Sequence, residues 1–297
     1  MAQEADDSPT VSLVLGSGGA RGHAHIGVIR AIEERGVRIR NIAGTSMGSV
    51  IGGMRAAGEL DTYADWAFAL SGKDVVRLLD FAFTWTSIFK GERIFGVLKE
   101  LVGDRDIEDL DLGFTAVATA IDEQREVWLN RGSLFRAIRA STAVPGVFSP
   151  VEIGGRTLVD GGLINPIPIA PTLNDATDMT IAVNLNSLAE SYSPPEGEAA
   201  EPLPDGASYA QKISRFIREL IADDDSESPA PDAADLLTRS IDVMQGAIAR
   251  LKLAAYSPDK VIEIPRDACT FFEFHRAREM ADLGYEKTMA ALDDMEL

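Results

Sequence analysis

The sequence predicts an α/β fold, a three-layer α/β/α arrangement around a mostly parallel central sheet. Two observations carry that prediction. Segments with strand and helix character alternate from the first apolar residues, and the first strand segment, Val11-Ser12-Leu13-Val14-Leu15, is a short apolar run with no regular polar alternation. A strand of a parallel sheet is covered on both faces by the helices that connect it to its neighbours. It therefore reads as unbroken apolar sequence rather than as an in/out alternation.

Taken in order, residues 1–10 are a polar, acidic lead that is expected to be disordered. Val11 to Leu15 is a buried strand, which runs into "GSGGARG". The next residues, "HAHIGVIRAIEERG", have helical spacing and stop at Gly36. Ile39 to Ala43 is a second strand, Gly44 to Gly48 a turn, and Ser49 to Ala57 a second helix. Residues 60–103 read as helices around the apolar stretch "LLDFAFTWTSIF". Further strands are expected at Phe114–Ala120, Glu126–Leu129, Thr157–Val159, Thr180–Leu185 and Val261–Ile264, and helices at Leu236–Ala255 and Phe274–Leu292.

Composition shifts at Ser187. "SLAESYSPPEGEAAEPLPDG" and "ADDDSESPAPDAAD" are rich in Pro, Ser and acid and read as mobile linkers. Between them "ASYAQKISRFIRELI" sets Ile213, Phe216, Ile217, Leu220 and Ile221 on one helical face, for docking on the body or touching lipid. The expected division is a lead over 1–10, a core over 11–187, an acidic insertion over 188–235 and a C-terminal part over 236–297 that completes the same domain.

With 47 acidic against 28 basic residues the chain carries a net charge of −19, which excludes the basic face a nucleic-acid partner needs. Cys269 stands alone, so no disulfide framework and no metal cluster are expected, and a reducing, cytoplasmic setting follows. The N-terminus lacks the apolar segment of a signal peptide, and no run approaches the ~20 residues of a membrane span. No cofactor is expected, and the oligomeric state is left open.

Three motifs carry chemistry. "GSGGARG", Gly16 to Gly22, lies between the first strand and its helix, where converging N–H groups favour negative charge. Such a nest holds either a cofactor phosphate or a transient oxyanion. The phosphate readings fit poorly: no Gly-Lys-Ser/Thr follows, and Arg21 stands where the dinucleotide fingerprint has its last glycine. Second, Ser46 sits in Gly44-x-Ser46-x-Gly48, the pattern of a sharp strand-to-helix elbow that holds a nucleophile outward. Third, Asp160-Gly161-Gly162 follows a short strand in "TLVDGGLINPIPIAP", which can bring a carboxylate to another loop's hydroxyl. A serine nucleophile needs a base. Asp160 alone would make a dyad; Ser46, Asp160 and His275 also stand in the chain order of an α/β-hydrolase triad. His275, however, lies at the start of a helical segment. His23 and His25 read as buried or helix-capping residues.

"GSGGARG" with "HIGVI", "GTSMGS", "STAVPGVFSPV" and "LVDGGLINPIPI" occur in the order and spacing of the patatin-like phospholipases, particularly their small bacterial branch. The chain resembles that family over about residues 11 to 187, with a weaker echo in "HRAREMADLGYEKTM". The resemblance implies a patatin-like fold and a serine acyl hydrolase with a Ser-Asp dyad. Ser46 would be the nucleophile and Asp160 its base. Gly18 and Gly19 would supply the oxyanion hole, with Arg21 supporting that loop, and Gly16, Gly44, Gly48, Gly161 and Gly162 would shape the motifs. Ser17 departs from members that carry glycine there, but backbone donors survive that change. The implied substrates are phospholipids, lysophospholipids or other fatty-acyl esters, met at a membrane surface. "LLDFAFTWTSIF" and "AVPGVF" are candidates for the acyl slot. The contrasting reading is an idle scaffold that keeps the fold and binds lipid or a partner.

Overall fold

The computed structural model describes residues 8–78, 81–84, 87–89, 91–103, 105–189, 191–193 and 233–295. The amphipathic segment 207–221, most of the acidic insertion and the first seven residues lie outside the described residues. The strands are β1 Thr10–Leu15, β2 Arg38–Thr45, β3 Phe81–Thr84, β4 Ser87–Phe89, β5 Gly113–Ala120, β6 Arg125–Leu129, β7 Gly146–Phe148, β8 Val151–Ile153, β9 Arg156–Asp160, β10 Met179–Ser187 and β11 Lys260–Pro265. The helices are α1 Ala24–Glu34, α2 Met47–Ala56, α3 Leu60–Phe68, α4 Gly72–Leu78, α5 Glu92–Val102, α6 Leu134–Ser141, α7 Ala233–Tyr256 and α8 Ala277–Asp293.

The main sheet runs β11-β10-β1-β2-β5-β9-β8, with β6 added to β5. The pairs from β11 through β5 are parallel, whereas β6, β9 and β8 join antiparallel. Side-chain alternation assigns the layers. Val11, Leu13 and Leu15 of β1, with Ile181, Val183 and Leu185 of β10, enter the large core shared with α1, α2 and α8. Val14 and Ala182 point the other way, into a smaller cluster with Ala249 of α7. Both faces of β1 are covered, and its one buried polar side chain, Ser12, donates its hydroxyl to Asp175.

Two sequence expectations need correction. The stretch "LLDFAFTWTSIF" is not helical throughout: β3 and β4 interrupt it, pair antiparallel, and β4 pairs parallel with β7. Aromatic and β-branched residues favour extended backbone, and an apolar run this short cannot be told from helix by periodicity. The turn expected over Gly44 to Gly48 is also much tighter. β2 continues to Thr45 and α2 begins at Met47, leaving Ser46 as the whole connection.

Candidate active site

Ser46 has φ 55° and ψ −123°, a left-handed conformation that costs a non-glycine residue energy, and it is 4% exposed. The glycines around it answer to contact. A Cβ on Gly44 would meet the Gly48 carbonyl oxygen at 2.4 Å, and one on Gly48 would meet that of Leu15 at 2.1 Å. The first turn of α2 thus lies directly on the ends of β1 and β2. The Ser46 carbonyl accepts the N–H groups of Ser49 and Val50 at 2.9 and 3.2 Å and the Ser49 hydroxyl at 2.7 Å. Its own N–H donates to Ser141 Oγ at 3.0 Å.

Asp160 ends β9 and is buried. Its Oδ1 accepts the Gly162 N–H at 2.7 Å, while Oδ2 has no hydrogen-bond partner. Burial pushes its pKa up to about 6, against the opposing pull of the nearby Ser46 hydroxyl and the Gly162 N–H. The Ser46–Asp160 approach is close enough to count in that balance, yet it falls short of a formed hydrogen bond on Oδ2. Gly161 packs against the Val117 carbonyl, so the turn after Asp160 runs flat on β5.

The Gly-rich loop faces this pair. Gly16 and Ser17 donate to Val183 and Pro166 carbonyls, and Ala20 donates to that of Phe271. Among the described residues, no such backbone bond takes up the N–H groups of Gly18 or Gly19. Gly19 has φ 55° and lines the same cavity as Ser46, with the Phe271 ring and carbonyl against it. Gly18 packs on Leu185. Arg21 is buried below the loop. Its Nη1 donates to the Arg266 and Cys269 carbonyls, both at 3.1 Å, and Nη2 reaches Asn186 and the Asp242 carboxylate. Arg21 therefore braces the loop rather than facing the cavity.

That cavity, about 70 Å³ and almost wholly apolar, opens from Ser46 between α3, α5 and the loop after α6. Tyr63, Trp66, Leu78, Val147 and Phe148 form part of its wall, so both stretches nominated for the acyl slot contribute to it.

The histidines separate cleanly. His23 Nδ1 lies 3.0 Å from the Ala20 carbonyl oxygen, which can only accept; Nε2 therefore accepts from the Tyr63 hydroxyl at 3.2 Å. His25 Nε2 donates to the Gly16 carbonyl at 2.9 Å. Burial lowers both pKa values to about 4. His275 sits in a one-turn 3-10 helix before α8. Burial is the main cause of its lowered pKa, its charged neighbours are Glu273, Arg276 and Glu279, and it does not line the cavity.

Ser141, Asp242 and Gln245 also surround the site, and sequence reasoning assigned none of them a role. Ser141 opens the motif "STAVPGVFSPV", which is a usable signal in the sequence. Asp242 and Gln245 lie on α7, whose spacing reads as an ordinary amphipathic helix. Gln245 accepts from the Ser17 hydroxyl at 3.5 Å.

A family model described as patatin-like phospholipase matches residues 13–173, which include the glycine loop, the elbow and the Asp160 turn. The chain belongs to the patatin-like phospholipase family. An uncharacterized NTE family protein of Mycobacterium tuberculosis is 40% identical, the match covering 98% of this chain and 93% of that protein. Human patatin-like phospholipase domain-containing protein 6 is 29% identical over 93% of this chain but only 20% of its own length. Lysophospholipase NTE1 of Pyricularia oryzae is 30% identical over 93% of this chain and 18% of itself. Against these two longer members of the patatin-like family, the chain spans about a fifth of their length. The crystal structure of VipD from Legionella pneumophila shares the fold, with a TM-score of 0.58 at 14% identity over 98% of this chain and 67% of VipD. Among the described residues of this family member, no helix is long and apolar enough to cross a membrane.

Proposed function

We propose that the protein is a lipid acyl hydrolase, a serine esterase of the carboxylic-ester class, acting through Ser46 and Asp160. The observation that carries this reading is a strained serine that lines an apolar cavity, with a buried, half-satisfied carboxylate near its hydroxyl. Membership of the family and the name of its Pyricularia member support lipid esters as the substrate class, including phospholipids and lysophospholipids.

The chemistry follows from these groups. Asp160 Oδ2 takes the Ser46 proton as Oγ attacks the ester carbonyl, and a pKa near 6 makes the carboxylate a better base than an exposed aspartate while leaving it ionised at neutral pH. The developing oxyanion accepts the N–H groups of Gly18 and Gly19, each worth ~3 kcal/mol in comparable sites. The positive end of α2, beginning one residue after Ser46, adds to that field. Asp160 returns the proton to the leaving alcohol. Water then attacks the acyl-enzyme with Asp160 again as base; the bond from the acyl carbon to Oγ breaks, Asp160 returns the proton to Ser46, and the fatty acid leaves the apolar cavity that held its chain.

A fluorophosphonate probe tests the reading together with a panel of p-nitrophenyl esters, lysophospholipids and diacyl phospholipids. The parent protein is expected to label and to hydrolyse members of the panel, and Ser46→Ala to do neither while remaining folded. Labelling that persists in Ser46→Ala would place the nucleophile elsewhere, and a folded parent that neither labels nor turns over would leave an idle scaffold.

A further inference from the structure

The motif "STAVPGVF" forms the corner between α6 and β7, and its chemistry extends beyond the cavity wall. Ser141 is fully buried at the end of α6. Its Oγ accepts the Ser46 N–H at 3.0 Å and donates to the Val117 carbonyl at 2.6 Å. Two residues on, the Ala143 carbonyl accepts the Asp160 N–H at 2.9 Å. The same short corner therefore holds the backbone of both members of the dyad. Thr119 Oγ1 adds a bond to the Asp160 carbonyl at 3.1 Å, and Thr45 Oγ1 one to the Asn165 carbonyl at 3.0 Å.

We infer that Ser141 is a positioning residue that holds Ser46 in its strained conformation and in register with Asp160. The inference rests on the dyad reading above. A residue at φ 55° keeps that conformation only where its surroundings over-determine it. The carbonyl of Ser46 is bound by α2 itself, but its N–H is directed out of the elbow and finds its acceptor in another element. Without the Ser141 hydroxyl, a buried N–H and the Val117 carbonyl both lose a partner, and the elbow is free to relax toward ordinary backbone angles. Oγ then leaves the attack geometry although it remains chemically intact.

The test compares fluorophosphonate labelling rates and p-nitrophenyl ester kinetics of the full chain and its variants. Ser141→Ala is expected to lower the labelling rate and kcat about 10- to 100-fold, as displacements on the scale of an ångström do, with KM nearly unchanged. Ser141→Cys, whose thiol is a weaker hydrogen-bond partner of similar size, should fall between parent and Ser141→Ala. It carries the comparison if the alanine protein does not fold, and a parental rate there would overturn the inference. Thr288→Ala removes another fully buried hydroxyl, bonded to the Gly284 carbonyl in α8. It should cost a similar few degrees of Tm but label at the parental rate. A folded Ser141→Ala that labels within about threefold of parent, or a Thr288→Ala that slows equally, would reduce Ser141 to ordinary packing. Persistent labelling of Ser46→Ala would instead refute the dyad itself.

Discussion

At the scale of single residues, Asp160 embodies the compromise on which the proposed activity depends. Burial raises its pKa from the ordinary 3.8 to about 6, which sharpens it as a base and destabilises the folded state whenever it is ionised. The sign is that of a raised carboxylate. The folded form is favoured below about pH 3.8, and that advantage is lost as pH rises through 6. Hydrolysis should accordingly fall as pH drops through about 6, which a pH–kcat profile measures. Asp160→Asn should abolish activity yet raise stability at pH 8, by up to roughly 3 kcal/mol if no other group responds. The gain should shrink toward pH 5, read from denaturation midpoints at both pH values. An active asparagine variant would refute the base assignment. His275 belongs to the same scale. Its charged neighbours are Glu273, Arg276 and Glu279, and it does not line the cavity that Ser46 lines, so the proposed dyad gives it no proton to carry. His275→Ala should lower kcat by less than about tenfold, where a triad histidine costs ~10⁴-fold or more.

Elements act through how closely they approach. α2 begins on top of the β1 end, so Gly48→Ala would drive a methyl group to 2.1 Å from the Leu15 carbonyl oxygen. The helix would have to move off the sheet and carry Ser46 with it. This variant should lose stability by several kcal/mol, as substitutions that overpack a rigid core do, and lose labelling along with it. Parental melting and labelling would show that the elbow tolerates a wider approach. The turn leading into α1 and the first turn of α1 bury one neutral histidine each, His23 and His25, with pKa values lowered to about 4. Their stabilising contribution is complete above the unfolded value of 6.5 and is lost as pH falls toward 4. Because His23 donates through Nδ1 and His25 through Nε2, Asn and Gln respectively preserve the donors without titrating. The double variant His23→Asn/His25→Gln should lose less stability than parent between pH 7 and 4.5. The difference is roughly 2–3 kcal/mol per histidine by chemical denaturation. An equal loss in both proteins would show that other groups govern the acid side.

The molecule as a whole carries a net charge of −19. A field of that sign repels anionic lipid surfaces and is screened by salt over about 10 Å at 0.1 M. If lipid is the substrate, hydrolysis of a given ester should be slower in anionic than in zwitterionic vesicles at low salt. The gap should close at 0.5 M NaCl, where the screening length falls to a few ångströms. A short soluble ester should show no comparable salt effect, because its reaction involves no charged surface. Preference for anionic vesicles at low salt would point to a local basic patch that overrides the net charge.

Much of this architecture was legible in the sequence because it is encoded locally. The β-α-β-α opening, the glycines of the elbow and the Asp-Gly-Gly turn each answer to constraints that neighbouring residues impose: continuous burial, a tight bend, a close approach. The family resemblance rests on those same segments, and the family model covers them. Tertiary structure alone decided the rest. β4 becomes a strand, with β3 beside it, because β7 pairs with β4 from more than fifty positions away, and an apolar run that short does not distinguish strand from helix. The Ser141–Ser46 bond joins residues 95 apart in the chain, so the motif around Ser141 can flag that residue but not the partner it holds. The pKa of Asp160 arises from burial under elements drawn from across the chain. Local sequence can therefore point to Ser46 and Asp160 as the proposed pair, but their strain, spacing and proton affinity are properties of long-range contacts, which only the folded chain makes.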